Sequence, residues 1–430
     1  MPLISPHFPA SRLPLALCAV VFIAAAGLSV FSGNMLRYPD EREYHQLALN
    51  LASGRGYVNE QAQPTASRPP GYPLLLALIY RLWERPLAAK LVNACALALT
   101  ALVLSRLALA IQPGIGGMLA PALVLCYPLF TYTAGTLYPQ TIGTLLFVAS
   151  LFLIVRRGSW KTAALAGALF GFLILVIPSF LLLLPVVAAY VPISPSPLPA
   201  PAGHFGDPQS ANRNPSGWRQ TILFIVSAAL VIAPWTIRNF IRFNAFIPVS
   251  SNSGINLLLG NSPNTRPNSG VNVDISDYER QTAGMTEVEK DRFFKQSAVT
   301  WIRGHPGAAL RLYFQKVAGY FNYRNELYTR SESSHGRDAV MFLTYYPVLA
   351  AGVLRLCLFR RFPISRPELF LAALYLGNAL LSAFFFTRIR FRVPFDAILI
   401  ALAALFGSHI YSISSSNGPP PASALRHPRK

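Results

Sequence analysis

Three carboxylates stand close together in the polar stretch 39–73, which follows the first hydrophobic segment of the chain. Asp40 and Glu41 are adjacent, and Glu43 comes two positions later. A carboxylate held near a membrane surface can act as a general acid or base when it lies within hydrogen-bond reach of the group it serves. The stretch closes with the rigid sequence Arg-Pro-Pro-Gly-Tyr-Pro at 68–73, which adds a cation to the same loop. These residue types and spacings predict acid–base chemistry in this loop.

A helix explains the same carboxylates without any chemistry. Asp40 can cap a helix whose fourth residue is Glu43, which is a capping-box arrangement. The paired glycines at 54 and 56 would end that helix. Both interpretations stay open, because a helix that begins at one carboxylate can position another. The buried stripe of this helix would consist of Tyr44, Leu47, Ala48 and Leu51.

Arginines form a second group with chemical potential. Three alternate between the last two hydrophobic segments, and others follow the seventh segment or lie in the first loop. Arginines at a membrane edge can simply extend toward lipid headgroups. The planar guanidinium fork also suits two-pronged recognition of phosphate, so an anionic ligand is the functional alternative. The residues concerned are Arg68, Arg238, Arg388, Arg390 and Arg392.

The composition decides which kind of protein must position these groups. Of 430 residues, 53% are hydrophobic and only 13% are charged, whereas a soluble domain carries about a quarter charged residues. Long apolar runs therefore predict an all-α polytopic membrane protein. The formal net charge is +20, but the basic residues lie in short clusters between hydrophobic segments. That pattern is typical of topology signals and contacts with anionic lipid, and nucleic acid is excluded as a partner.

About ten transmembrane helices are predicted, with both ends of the chain on the cytoplasmic side. Short basic loops at 156–161 and 360–366 fit this orientation. The loop at 388–392 does not, because alternation places its arginines on the outer side. Basic residues clustered on the wrong side favour a binding role there. The predicted segments are 13–31, 87–108, 117–134, 141–155, 162–177, 179–192, 219–236, 339–357, 368–387 and 394–412.

The domain organisation follows from the polar stretches between these segments. The longest of them is predicted to form an outer, periplasmic domain. Inside it, Thr286-x-x-Glu289 predicts a helix start, which should end near Gly304, and Pro306 suits the first turn of the next helix. The predicted parts are an N-terminal transmembrane region at 1–237 with a first outer loop (34–73) and a cytoplasmic linker (193–218), the outer domain at 238–338, C-terminal transmembrane helices at 339–413, and a cytoplasmic tail at 414–430.

Several stretches together resemble the integral-membrane glycosyltransferases of the GT-C superfamily, which take sugars from polyprenyl phosphates. The group includes the protein O-mannosyltransferases and the lipid A aminoarabinose transferase. The resemblance extends over nearly the whole chain and is specific for the superfamily rather than for one sugar. The stretches that carry it are Asp40-Glu41-x-x-Tyr44, Arg-Pro-Pro-Gly-Tyr-Pro at 68–73, Pro-Trp-Thr-Ile-Arg-Asn at 234–239, Gly-Ile-Asn-Leu at 254–257, Gly-Asn at 260–261 and Arg-Phe-Arg-Val-Pro at 390–394.

The resemblance implies a GT-C-like helix bundle with outer-side loops and a reaction on the outer face of the membrane. Asp40 would take the proton of the acceptor hydroxyl, with Glu41 as the nearest alternative. Polyprenyl phosphate is a good leaving group, so attack on the opposite face of the anomeric carbon would invert its configuration. The substrate would be bound by Tyr44 and by the arginines at 68, 238, 388, 390 and 392, which compensate the phosphate charge.

The resemblance also carries expectations about cofactors and location. Many relatives have an acidic residue after the third segment, where this chain has Gln140. Glutamine is neither a base nor a good metal ligand, so a metal held by two carboxylates is not favoured, and dependence on a divalent metal stays open. The expected partners are a polyprenyl-phosphate-linked sugar, an acceptor that is a lipid, glycan or protein, and the membrane itself. The expected location is the bacterial inner membrane, with the site facing the periplasm or exterior.

Two other functions remain. A transporter or flippase for a lipid-linked or anionic solute would need similar arginines, but the hydrophobic segments contain almost no charges and show no repeated half. A scaffold subunit with an inactive site is the third hypothesis, which the glutamine at 140 leaves open. The sequence does not determine the sugar, the acceptor, the carrier length or the oligomeric state.

Overall fold

A computed structural model describes residues 12–156, 158–193, 217–324 and 334–416. The regular secondary structure in these ranges is helical, and the one strand-like pairing among them is an isolated bridge between Val58 and Pro64. The prediction of an all-α polytopic membrane protein is therefore confirmed. Most of the predicted linker at 193–218 and of the tail at 414–430 lies outside the described residues.

Most connections between the described helices are short, but residues 53–70 separate the second helix from the third and residues 261–275 separate the eleventh from the twelfth. A 3-10 turn at Pro178–Leu183 separates the eighth and ninth helices. In chain order the helices are α1 (Arg12–Ser32), α2 (Pro39–Ala52), α3 (Gly71–Tyr80), α4 (Pro86–Ile111), α5 (Gly116–Leu125), α6 (Pro128–Ala134), α7 (Gln140–Arg156), α8 (Trp160–Val176), α9 (Leu184–Tyr190), α10 (Gly217–Phe243), α11 (Ser253–Gly260), α12 (Ser276–Gln281), α13 (Glu287–Gly304), α14 (Pro306–Tyr320), α15 (His335–Cys357), α16 (Arg366–Ser382) and α17 (Ile389–Ser416).

Five of the described helices, α1, α4, α10, α15 and α17, are long and apolar enough to cross a membrane. The pair α5 and α6, bent by 62° at its break, makes a sixth candidate. Other predicted segments appear as shorter apolar helices, including α7, α8 and the stretch Pro178–Tyr190. Each of the ten predicted hydrophobic segments thus corresponds to a helix, a bent pair or a turn followed by a helix, and they differ in length.

The bundle is built around α17, which is the most buried of the candidate spans. It packs against α4, α5, α7, α15 and α16. Elsewhere, small residues allow close backbone contact: a Cβ atom at Gly167 would lie 2.2 Å from the carbonyl oxygen of Phe224, and Gly171 meets Ala228 in the same way. Such contacts bring α8 and α10 together, as small residues commonly do in membrane helices.

The described part of the stretch between α10 and α15, residues 244–324, contacts the bundle near the end of α16. Its main helices start and stop where the sequence predicts. The hydroxyl of Thr286 accepts the amide of Glu289 and α13 ends at Gly304, while α14 begins at Pro306. The ammonium group of Lys316 joins this stretch to the bundle, because it donates to the carbonyl oxygens of Gly260 and Phe385. The candidate site lies at this end.

Candidate active site

The start of α2 determines which carboxylates are available for chemistry. The helix begins at Pro39, and the carboxylate of Glu41 accepts the amides of Arg37 and Tyr38 at 2.7 and 2.9 Å. The prediction that Asp40 caps the helix with Glu43 as its partner is therefore wrong. Proline has no N–H and a fixed φ, so it suits the first helical position, and the helix starts two residues earlier than predicted, with Tyr38 as its N-cap. This leaves Asp40 and Glu43 free for other partners.

Glu41 faces the interior of the protein. Its side chain is buried, at 1% exposure, and its second oxygen accepts the amide of Leu137 at 2.8 Å. Three backbone amides therefore share this carboxylate, which joins α2 to the connection between α6 and α7. Glu41 was predicted as the alternative base, but in the structure its carboxylate stabilises the fold by accepting these backbone amides.

Asp40 lies between two arginines that are far apart in the sequence. One carboxylate oxygen accepts a hydrogen bond from Arg68 at 2.7 Å, and the other accepts one from Arg390 at 2.5 Å. The side chain is about a quarter exposed, at 23%. Burial would raise the pKa of Asp40, but the charges of Arg390 and Arg68 outweigh it and hold the pKa below its ordinary value. Asp40 is therefore ionised.

Arg68 joins a second carboxylate to the first. Its Nε donates to Glu43 at 2.7 Å, while its Nη2 donates to Asp40. Glu43 was missed as a site residue from the sequence. Residues three positions apart share one face of a helix, so Asp40 already indicated it. Burial would lower the pKa of Arg68, but its acidic neighbours leave that pKa raised. The ring of Tyr44 lies 5.5 Å below the guanidinium, so the predicted Tyr44 belongs to the cluster.

Aromatic side chains surround Arg390. Its guanidinium lies 5.2 Å from the ring centre of Tyr138 and 5.1 Å from that of Phe391. Tyr138 in turn lies 5.6 Å from the ring of Tyr38, which precedes α2. Arg388, at the entrance to α17, is half-buried and acts electrostatically on Tyr138. Sequence reasoning missed Tyr138 and Tyr38, because tyrosines near a membrane surface are common anchors.

Arg392 points elsewhere. Its side chain is 1% exposed and pairs with Asp396 at 2.9 Å, one turn further along α17. It also donates to the carbonyl oxygens of Tyr320 and Asn322 at 2.6 and 2.8 Å. Two residues along a helix correspond to a rotation of about 200°, so Arg390 and Arg392 face opposite sides of α17. The structure brings only the first of them to Asp40.

Arg238 holds the loop that carries Arg68. It donates to the carbonyl oxygens of Thr65 and Tyr57 at 2.8 and 3.1 Å, and its guanidinium lies 4.7 Å above the ring of Trp235. Glu287 at the start of α13 accepts the hydroxyl of Thr65 from another direction, at 2.8 Å. The predicted substrate-binding Arg238 is thus occupied by backbone oxygens, and two distant elements fix the first loop.

The carboxylates of this site do not fit a bound metal ion. Both oxygens of Asp40 are paired with arginine, and those of Glu41 accept backbone amides. Within the described ranges, no group of three or more histidine, cysteine, aspartate or glutamate residues is close enough to hold a metal. Gln140 is buried at the start of α7, with its side-chain oxygen unpaired among the described residues.

Comparison with known proteins places the chain among structural neighbours of low similarity. No protein-family model and no curated protein matches the sequence. Among solved structures, ArnT from Cupriavidus metallidurans, bound to undecaprenyl phosphate, is 13% identical with a TM-score of 0.42, over 95% of this chain and 81% of that one.

Two archaeal structures are also similar. The oligosaccharyltransferase of Archaeoglobus fulgidus, tethered with an acceptor peptide, is 12% identical with a TM-score of 0.48, over 97% of this chain and 52% of that one. AglB from the same organism, in complex with an inhibitory peptide and a dolichol-phosphate, is 14% identical with a TM-score of 0.45, over 96% and 52%. The chain thus spans about half the length of these oligosaccharyltransferases.

Proposed function

We propose that this protein is a membrane glycosyltransferase that moves a sugar from a polyprenyl-phosphate carrier to a hydroxyl group of an acceptor. The observation that carries the proposal is the position of Asp40, between Arg68 and Arg390 at one end of a membrane helix bundle. The pair of groups supplies a base and an anion-binding cation within one hydrogen bond of each other. A polyprenyl phosphate would reach this end of the bundle from the lipid.

The pairing explains how binding and catalysis are coupled. Without substrate, the arginines neutralise Asp40 and make it a weak base. Guanidinium groups bind phosphate through two parallel hydrogen bonds, so a donor phosphate competes with Asp40 for Arg390. Once Arg390 turns to the phosphate, Asp40 loses one cation and its affinity for a proton rises. Asp40 thus becomes a better base when the donor is in place.

The reaction requires one proton transfer and one displacement. The acceptor oxygen forms a bond to the anomeric carbon as its proton moves to Asp40. The bond between that carbon and the phosphate oxygen breaks, and the electron pair leaves with the polyprenyl phosphate. Attack from the face opposite the phosphate inverts the anomeric configuration. Arg390, with Arg388 nearby, stabilises the charge that develops on the phosphate.

Other residues hold this arrangement in place. Arg68 is shared between Asp40 and Glu43, so it keeps the first loop against α2 when Arg390 is engaged elsewhere. Arg238 and Glu287 fix the backbone around Thr65. In this proposal Arg392 acts through the fold, because it anchors the first turn of α17 to Tyr320 and Asn322.

The proposal is tested by comparing the wild type with Asp40→Asn. Purified protein in lipid nanodiscs is incubated with radiolabelled undecaprenyl-phosphate sugars and a membrane extract as acceptor. We expect transfer to fall by about two to four orders of magnitude, since the amide cannot take a proton. Binding of undecaprenyl phosphate should persist. Asp277→Asn, at an exposed position in α12, is the matched control and should transfer normally. Equal transfer by Asp40→Asn and the wild type would place the base elsewhere.

One observation favours a second function, a transporter or flippase. The predicted hydrophobic segments contain almost no charges, yet the structure shows a buried Arg392–Asp396 pair inside the candidate span α17. Buried charges of this kind are common along transport pathways. Movement of a labelled polyprenyl phosphate across proteoliposomes, in the absence of sugar transfer, would support this alternative.

A further inference from the structure

Glu43 borders a cleft that the proposed chemistry at Asp40 does not use. The cleft has a volume of about 380 Å³ and lies between one face of α2 and the hairpin at 57–66. This volume falls in the range of small-molecule sites, about 300–1,000 Å³. The polar residues that give it its character are Arg42, Glu43, Gln46, Asn59, Glu60 and Gln61.

The cleft is a built feature, because hydrogen bonds hold its hairpin wall together internally and attach it to α2. Within the hairpin, the side-chain oxygen of Asn59 accepts the amides of Gln61 and Gln63 at 3.0 and 2.9 Å. Asn50 of α2 is 2% exposed and donates to the carbonyl oxygen of Val58 at 2.8 Å. The wall is therefore held to α2 before any ligand arrives.

The lining determines which ligands fit. Two carboxylates, Glu43 and Glu60, face one cation, Arg42, so the cleft does not favour an anion such as the donor phosphate. Glutamine amides and carboxylates together accept and donate to neighbouring hydroxyl groups. Pro39 and Leu47 add apolar contact for C–H surfaces. This combination of groups fits a neutral saccharide.

A peptide is the other class of acceptor with hydroxyl groups. Peptides are commonly recognised by an exposed sheet edge, an apolar groove or an arginine cluster. The described residues that line the cleft provide none of these features, since they come from a helix face and a closed hairpin. The lining therefore favours the saccharide.

We propose that this cleft is the acceptor subsite and that the acceptor presents a neutral saccharide to it. The proposal rests on the proposed glycosyltransferase function and names the acceptor class. Arg68 is the boundary between the two halves of the site, because it donates at 2.7 Å both to Glu43 and to Asp40. An acceptor hydroxyl group bound to Glu43 would thus be separated from Asp40 by the guanidinium group of Arg68. Arg390, the proposed phosphate-binding residue, contacts the other carboxylate oxygen of Asp40.

The test measures saccharide binding directly, without the transfer reaction. Fluorescently labelled protein in detergent is applied to an array of neutral and charged oligosaccharides and to a peptide array, and undecaprenyl phosphate binding is measured on the same preparations. We expect the wild type to retain neutral oligosaccharides. Gln61→Ala should weaken this binding by about five- to tenfold through the loss of one or two hydrogen bonds. Gln63→Ala is the matched control on the same hairpin, outside the lining, and should bind as the wild type does.

Each outcome decides between the proposals. Retention of no neutral saccharide by the wild type, retention of charged saccharides alone, or equal effects of Gln61→Ala and Gln63→Ala would overturn the acceptor subsite. Binding only to a peptide array would overturn it in favour of a peptide acceptor. Neutral saccharide binding that depends on Gln61, without undecaprenyl phosphate binding, would keep the cleft as a saccharide site while the glycosyltransferase proposal failed.

Discussion

Arg390 and Arg392 stand two positions apart on α17, and they do opposite things. Arg390 is about a quarter exposed, at 24%, and meets Asp40 of the first loop across the site. Arg392 is buried against Asp396 and two backbone carbonyl groups. In a partly exposed pair one member can exchange its partner for an incoming phosphate, while breaking a buried pair leaves a charge with neither water nor a partner. Exposure therefore distinguishes Arg390, for which we propose phosphate binding, from Arg392, which is paired inside the fold.

A third pair, at the other end of the bundle, supports this division. Arg355 and Glu368 are buried and meet at 2.6 Å, and Glu368 also accepts the backbone amide of Ser365 at the start of α16. Arg355 further donates to the carbonyl oxygen of Phe362 at 2.8 Å. Both buried pairs thus include backbone groups, which fixes a turn or a helix end. The described hydrogen bonds of the Asp40 carboxylate come only from side chains.

The largest expected effect is on stability, from Arg392→Met. Removing one member of a buried pair leaves Asp396 as an uncompensated charge, which costs about 3–5 kcal/mol of folding free energy. We expect a clear fall in the melting temperature of the detergent-solubilised protein. The double variant with Asp396→Leu should recover part of the loss, because both charges are then removed. A wild-type melting temperature for the single variant would contradict the structural role of Arg392.

Arg390→Ala should affect transfer strongly and stability weakly, in contrast to Arg392→Met. Transfer is expected to fall about a hundredfold, as for other groups that stabilise developing charge. Stability should change by less than about 1 kcal/mol, because the pair is partly exposed. Arg390→Lys keeps the positive charge but loses the two-pronged guanidinium group, so its transfer rate should lie between those of the wild type and Arg390→Ala. Both quantities are measured on the same preparations. Unchanged transfer in the alanine variant would remove Arg390 from the site.

Glu41→Gln tests the carboxylate that the sequence offered as the alternative base. The amide group can no longer accept all three backbone N–H groups, so we expect a loss of about 1–3 kcal/mol in stability. Transfer per folded molecule should remain close to that of the wild type. Thermal melting and transfer assays together separate the two roles. A stable variant without transfer would make Glu41 the base in place of Asp40.

The smallest expected effect is a displacement of the pH profile. In the free protein the arginines hold the pKa of Asp40 below its ordinary value, so the acid limb of kcat/KM for the donor should lie below the usual aspartate range. The acid limb of kcat should lie at higher pH, because the bound phosphate then occupies Arg390. Identical limbs for kcat and kcat/KM would contradict the proposed exchange of partners.

The same pKa shift predicts a direction for stability. The folded-state pKa of Asp40 is below its unfolded value, so the pairing contributes stability that is fully present above the unfolded pKa. That contribution is lost as the pH falls through the folded-state pKa. Asp40→Asn should therefore flatten this part of the melting temperature profile in acid, while Asp277→Asn should leave it unchanged.

The sequence by itself determined the class of protein and the positions of most helices. Long apolar runs leave no alternative to membrane helices, because backbone groups in lipid must pair within their own segment. Local signals between neighbours in the chain were also informative, although the capping box predicted at Asp40 was wrong. The capping box at Thr286 starts α13, and Gly54 and Gly56, with φ values of +79° and +84°, follow the end of α2. The polar first loop with its carboxylates and arginine was also evident from residue types.

Only the tertiary structure decided which of these residues meet. Asp40 and Arg390 are 350 positions apart, and no local pattern pairs them. The sequence treated Arg390 and Arg392 alike, but the orientation of α17 sends one to the site and the other to the core. Pro39 moved the start of α2, so Glu41 became the capping carboxylate and Glu43 was released to Arg68. Chain neighbours set the helices, while the packing of distant helices sets burial, and burial decides what a charged side chain can do.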